Sequence, residues 1–267
     1  SFFNSILQYS IIEYNYIFVL LICNMLFNFT NQILNEFNLG IVYLVLTGSF
    51  ALLYFSMSAG LNFFFNWTLK KQWTEKIINL NLFKNQLRFE IIHSFMSIAV
   101  FGIYGALIVL CYRNEVVHIS FNNGYMVLVG LIILAIWNEV HFYFCHRLMH
   151  TKLFLKIHQT HHKSHVVTPF STYSFHPIES LIFGSVMILP MLLIDFEAMA
   201  LLIFPIYHLF FNTLGHSNVK LKKHHSGAKN IEISTQHNNH HTTYNSNFGF
   251  VTRIMDQLVG TYHKKLK

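Results

Sequence analysis

The chain has 267 residues, 53% of them hydrophobic and 11% charged, with a formal charge of +7. A soluble domain carries about 25% charged residues, so this composition excludes an ordinary soluble fold and indicates a membrane protein. The three cysteines, Cys23, Cys111 and Cys145, stand singly in apolar runs, which excludes a disulfide framework and a thiolate metal site.

Apolar runs at roughly 11–29, 41–65, 91–112 and 123–140 are long enough to cross a bilayer. Two shorter runs, 178–194 and 196–214, contain Pro190 and Pro205 and meet at IDFEA. They predict a hairpin of short helices that does not fully span. No Gly/Ser-rich linker or internal repeat divides the chain. The expectation is a single membrane domain over 1–267. Residues 1–137 are mainly transmembrane, and 138–267 form a histidine-rich region that includes the hairpin at 178–214. The fold class is all-α: a multi-pass integral-membrane bundle of four to six helices with a histidine-rich helical cap on one face.

Charge gives the topology. If the runs all cross in order, 66–90, 141–177 and 215–267 share one side. That side then holds 17 of the 18 Lys and Arg residues; Arg113 alone falls on the other. The positive-inside rule puts the basic face in the cytosol or the mitochondrial matrix. The basic excess is thus a topology signal. A nucleic-acid partner would need a soluble basic face with stacking aromatics, and none is present.

The same side gathers histidine. Fifteen of 18 lie in 141–177 or 215–267. His146 and His150 are four apart, His158, His161 and His162 follow HxxHH, and His237, His240 and His241 repeat it. On a helix these spacings bring side chains within about 5–6 Å on one face, so each motif is expected to aim its imidazoles at one common spot. Neutral imidazole is a ligand for Fe, Zn or Cu. Eight convergent rings exceed what one ion takes and suit two metals side by side. His93, His118 and His263 belong to no motif, and His208 is a polar residue inside an apolar run.

The run NEVHFYFCHRLMH, followed by HQTHH and HNNHH, resembles the fatty acid hydroxylase/sterol desaturase superfamily of integral-membrane di-iron enzymes. FHPIE, GHSNVKL and NSNFGFVTRIMDQLVGT resemble further elements of that family, so that the resemblance covers about residues 135–262. It implies as metal ligands His146, His150, His158, His161, His162, His216, His237, His240 and His241. Asn212 stands where some members carry another histidine, so that ligand is missing or weakened. Phe248 stands where Tyr is usual. Asp256 and Glu139 are expected to orient ligand histidines from behind, and His176 to lie near the metals or the substrate.

The resemblance further implies two Fe ions, with Zn in a purified or inactive form. It implies oxidation of a lipid or sterol C–H bond by O2, as hydroxylation or desaturation. No flavin, haem or nicotinamide fingerprint appears in the chain, so electrons are expected from an external donor such as cytochrome b5 or a ferredoxin. The expected membrane is the endoplasmic reticulum, with the mitochondrial inner membrane as the alternative. A second reading is an impaired member serving as a structural accessory subunit of a larger membrane complex. A metal transporter would need polar residues along the spans, and these are too few.

Overall fold

The computed structural model describes residue 25 and residues 27–121, 123–222 and 232–263. The first predicted run, 11–29, lies almost wholly outside these residues, as do His224 and His225. A helical segment at 27–35 leads into α1, Leu39–Lys70, whose first turn is capped by Asn38 Oδ1 accepting from the Ile41 N–H. Then follow β1 (Thr74–Lys76), α2 (Gln86–Arg113), β2 (Ile119–Ser120) and α3 (Gly124–Met149). Asn123 caps α3 in the same way, accepting from Met126.

At 1.5 Å per residue, α1 with 32 residues is about 48 Å long, well beyond a hydrocarbon core of about 30 Å. Its last turns therefore reach the cap. α2 and α3 also exceed the core. Each helix shows two faces. On α3, Leu128, Ile132 and Ile136 recur every fourth residue and are exposed, whereas Leu134, Asn138, Phe142 and His146 are buried on the opposite face. An apolar stripe turned outward is what a lipid solvent selects.

The predicted hairpin forms with unequal arms. Its second arm is α7, Ala198–Gly215, which, against the expectation of two short arms, is long and apolar enough to cross, the fourth such helix among the described residues. Its first arm breaks into α5 (Pro177–Gly184) and α6 (Ile188–Met191), with β3 (Phe196–Glu197) before α7. Pro190 has no N–H to give to the Val186 carbonyl four residues earlier. That carbonyl accepts instead from the Trp137 indole at 2.8 Å, which holds the break against α3.

Between α3 and α5 lie α4 (Leu155–His162) and a 3-10 turn at Pro169–Ser171. After α7 come β4 (Val219–Leu221), α8 (Glu232–Thr243) and α9 (Ile254–Val259). Two tiny sheets mark the two faces of the bundle. β1 pairs antiparallel with β4, joining 74–76 to 219–221 on the basic face. β2 pairs parallel with β3, joining 119–120 to 196–197 on the other. Arg113 belongs to the second face, donating to the carbonyls of Ile33, Leu34 and Phe37 at a helix end. The all-α membrane bundle holds in this arrangement.

Candidate metal centre

Four segments deliver the cap histidines. The C-terminal end of α3 supplies His146 and, at its cap, His150; α4 supplies His158, His161 and His162. His216 is the C-cap residue of α7, and α8 brings His237, His240 and His241. All nine expected rings come together, in two groups. His146, His150, His158, His162 and His240 have ring nitrogens within 4.8 Å of one another, and so do His161, His216, His237 and His241.

Each HxxHH motif was expected to aim at one spot, and here the structure corrects the sequence reading. His158 and His162 join the first group, while His161 joins the second. On α8 the division is reversed, with His237 and His241 in the second group and His240 in the first. The physical reason is the helical turn. Positions i and i+4 stack, while i+3 and i+4 diverge by 100°. Each motif therefore serves both groups, and α4 and α8 lock them side by side.

The geometry within the first group is tight. The Nε2 atoms of His150, His162 and His240 form a triangle with sides of 3.0, 3.1 and 3.2 Å. In the second, His237 and His241 Nε2 lie 3.1 Å apart. Two cis ligands about 2.1 Å from a common ion are separated by about 3.0 Å. Behind the rings stand acceptors that fix their orientation. His146 Nδ1 donates to the Phe248 carbonyl at 3.0 Å and His240 Nδ1 to the Ser246 carbonyl at 2.8 Å. His216 Nδ1 bonds Ser171 Oγ at 2.8 Å.

His158 Nδ1 bonds Glu179 Oε1 at 2.7 Å, and both side chains are buried. With that nitrogen spent, His158 Nε2 is buried without a hydrogen-bond partner among the described residues. An inward lone pair with no donor to meet it fits a cation, and the donor set of imidazoles fits iron, zinc or copper.

Burial pushes the His150 and His237 imidazoles down to about 4. Burial, with the neighbouring rings, pushes His158, His161, His162, His216, His240 and His241 well below the usual value. The rings are neutral at pH 7, the form that binds metal. Burial also pushes the Glu179 carboxyl well above the usual carboxylate value.

The acids expected behind the ligands act one step further away. Asp256 accepts from the Phe248 and Gly249 N–H groups and from Thr261 Oγ1, at 2.8 Å each. It holds the loop whose carbonyls hold His146 and His240. Glu139 accepts from the Val251 and Thr252 N–H groups and Thr252 Oγ1. No imidazole is bonded to either acid among the described residues, because both are taken up by backbone donors. His176 is likewise not a member of either group. Its Nδ1 accepts from Ile178 and caps α5, the helix that carries Glu179. Glu179 itself is the residue that spacing did not reveal, although it lies inside FHPIE.

Below the cap an apolar cavity of about 310 Å³ runs through the bundle. Its lining on α7 extends from Ala198 to Asn212, about 21 Å along the axis. Phe142, Phe175, Phe183 and Asn212 line both this cavity and the small recess walled by His146, His158, His161, His216 and His237. Asn212 thus stands at the seam between the two spaces.

Fold and site together define a membrane-embedded helix bundle with two adjoining histidine clusters able to hold metal. The fatty acid hydroxylase family model matches residues 131–261. The Delta(7)-sterol 5(6)-desaturases of Candida glabrata and Saccharomyces cerevisiae are each 30% identical over 46% of this chain and 33% of their own length. That of Aspergillus fumigatus is 25% identical over 88% of this chain and 65% of its own. Residues 131–261 thus match the fatty acid hydroxylase domain, and these similarities support the fatty acid hydroxylase/sterol desaturase superfamily. It spans about a third of the length of the two yeast enzymes that it matches. No solved structure matches it at a significant level.

Proposed function

We propose that the protein is a membrane-bound oxidoreductase that hydroxylates or desaturates a lipid or sterol at an unactivated C–H bond. It uses two irons, dioxygen and electrons from an external donor. The observation that carries this reading is the shared wall of Phe142, Phe175, Phe183 and Asn212, which sets an apolar cavity directly against two imidazole clusters. Iron bound at the clusters would supply dioxygen reduction and the oxidising power that an alkyl C–H bond demands. The chain's own part is to hold and aim. The nine imidazoles are the proposed ligands. Glu179, Ser171 and the carbonyls of Ser246 and Phe248 fix ring orientation from behind. The phenylalanine wall keeps water from the reacting carbon and directs an elongated apolar molecule toward the cap.

The names of the relatives support a sterol or other lipid as substrate. The exposed Lys84, Arg88, Lys152 and Lys156 flank the cap and suit an acidic donor such as cytochrome b5 or a ferredoxin. We assign the protein to the endoplasmic reticulum membrane with this face in the cytosol. Purified protein is expected to bind two iron equivalents per chain by elemental analysis. His240→Ala and His237→Ala are each expected to lower that count, and to abolish a lipid product seen by mass spectrometry in cells expressing the parent chain. Folded protein that takes up neither iron nor zinc and leaves cellular lipids unchanged would return the chain to the accessory-subunit reading.

A further inference from the structure

His208 sits in α7, one helical turn before Asn212, and its ring lines the apolar cavity. A polar residue in such a wall is costly unless matched. His208 Nδ1 is matched by Tyr173 OH at 2.9 Å, and Tyr173 lines the same cavity while being only 2% exposed. One face of the ring packs on Phe250, at 4.9 Å and 12°, and its Nδ1 edge meets the Tyr173 hydroxyl with the two rings nearly coplanar, at 6.1 Å and 4°. His208 bonds through Nδ1 alone among the described residues, which leaves Nε2 on the cavity side of the pair.

The remaining polar linings are placed otherwise. Tyr104 donates to the Leu181 carbonyl, Thr30 lies at the far end, and Asn212 lies at the seam with the clusters. The cavity therefore offers one ordered polar pair in an apolar wall, short of the metal site. Two rings, Phe250 and Phe142, intervene between His208 and His146.

We propose that the Tyr173–His208 pair is a recognition site for a single hydroxyl or carbonyl oxygen on an otherwise apolar ligand, a sterol or a long-chain alcohol. This rests on the lipid reading above and narrows it. If Tyr173 donates to Nδ1, Nε2–H is left to donate to the ligand. If Nδ1–H donates to Tyr173, Nε2 is left to accept. The pair can thus meet either half of a hydroxyl, and an alkane leaves it unmatched. Because two rings separate it from the clusters, the pair positions the ligand and takes no part in bond breaking.

The test is equilibrium binding to the purified full chain in detergent, without turnover. The probes are cholesterol against 5α-cholestane, and hexadecan-1-ol against hexadecane. In the parent chain at least one hydroxylated probe is expected to bind about tenfold tighter than its hydrocarbon counterpart, the usual worth of one buried hydrogen bond. Which pair shows the difference identifies sterol or alcohol. Tyr173→Phe, which removes one oxygen, and His208→Phe, which keeps the stacking, are expected to abolish the difference while hydrocarbon affinity holds. Equal binding of alcohol and hydrocarbon by the parent chain overturns the inference and leaves the lipid reading standing. So does a preference that survives in a folded Tyr173→Phe protein. Binding of none of the four probes overturns both.

Discussion

Glu179 shows how one buried side chain can orient a candidate metal-binding histidine. It has no exposure, lies on α5, and reaches His158 across 21 positions of sequence. By accepting from Nδ1 it fixes the tautomer that turns Nε2 inward, and a carboxylate behind an imidazole raises its basicity toward a cation. Glu179→Gln keeps the shape but replaces an acceptor-only group with an amide that can present its NH2 to His158. Metal affinity at the first cluster is expected to fall about 10–100-fold, read by chelator competition, with Glu179→Asp recovering part of the loss. An unchanged affinity in the Gln variant would show that packing alone holds His158.

The closing segment, 246–256, acts as a unit. Its carbonyls at Ser246 and Phe248 hold one histidine each, and Asp256 and Glu139 hold its backbone N–H groups from two sides. Asn247 adds a second clasp, bonding both the N–H and the carbonyl of His263 from a left-handed backbone with φ of 58°. Gly249 sits where the loop closes on itself. A Cβ there would lie 2.5 Å from the Thr252 carbonyl oxygen and 2.8 Å from Asp256 Oδ2. Backbone cannot yield as a flexible side-chain tip can, so Gly249→Ala is expected to destabilise the loop by about 1–3 kcal/mol. The measurements are thermal unfolding and metal content, and both should fall together. A variant with parental unfolding temperature and full metal content would show that the loop can shift without releasing His146 and His240.

At the scale of the whole molecule, the bundle separates its chemistry by depth. Every cluster histidine is at the basic end, the cavity occupies the middle, and the opposite end is closed by the β2–β3 contact and by Arg113 capping a helix terminus. The bundle's orientation follows from where the positive residues lie. A cysteine placed at the exposed Leu153 is expected to react with an impermeant maleimide only from the cytosolic side of sealed membranes. One at the exposed Glu115 should react only from the other. Labelling of both from the same side would refute the topology.

Apart from His216, which came from the family resemblance, the sequence made legible the membrane character, an expected orientation and eight candidate metal-binding histidines. These depend on composition and on spacing within a few residues, where local helix geometry sets which side chains are neighbours. It did not divide the ligands into five and four, because that depends on how α3, α4, α7 and α8 pack. The 100° between i+3 and i+4 sends neighbours such as His161 and His162 to different clusters once two helices face each other. Glu179 was hidden for a related reason: a lone acid in an apolar helix has no spacing that ties it to His158. Asp256 and Glu139 were legible as unusual acids, yet only the folded loop showed that backbone N–H groups had claimed them. The cavity, with the Tyr173–His208 pair in its wall, exists only where helices distant in sequence, α1, α2, α3, α5 and α7 among them, leave space between them.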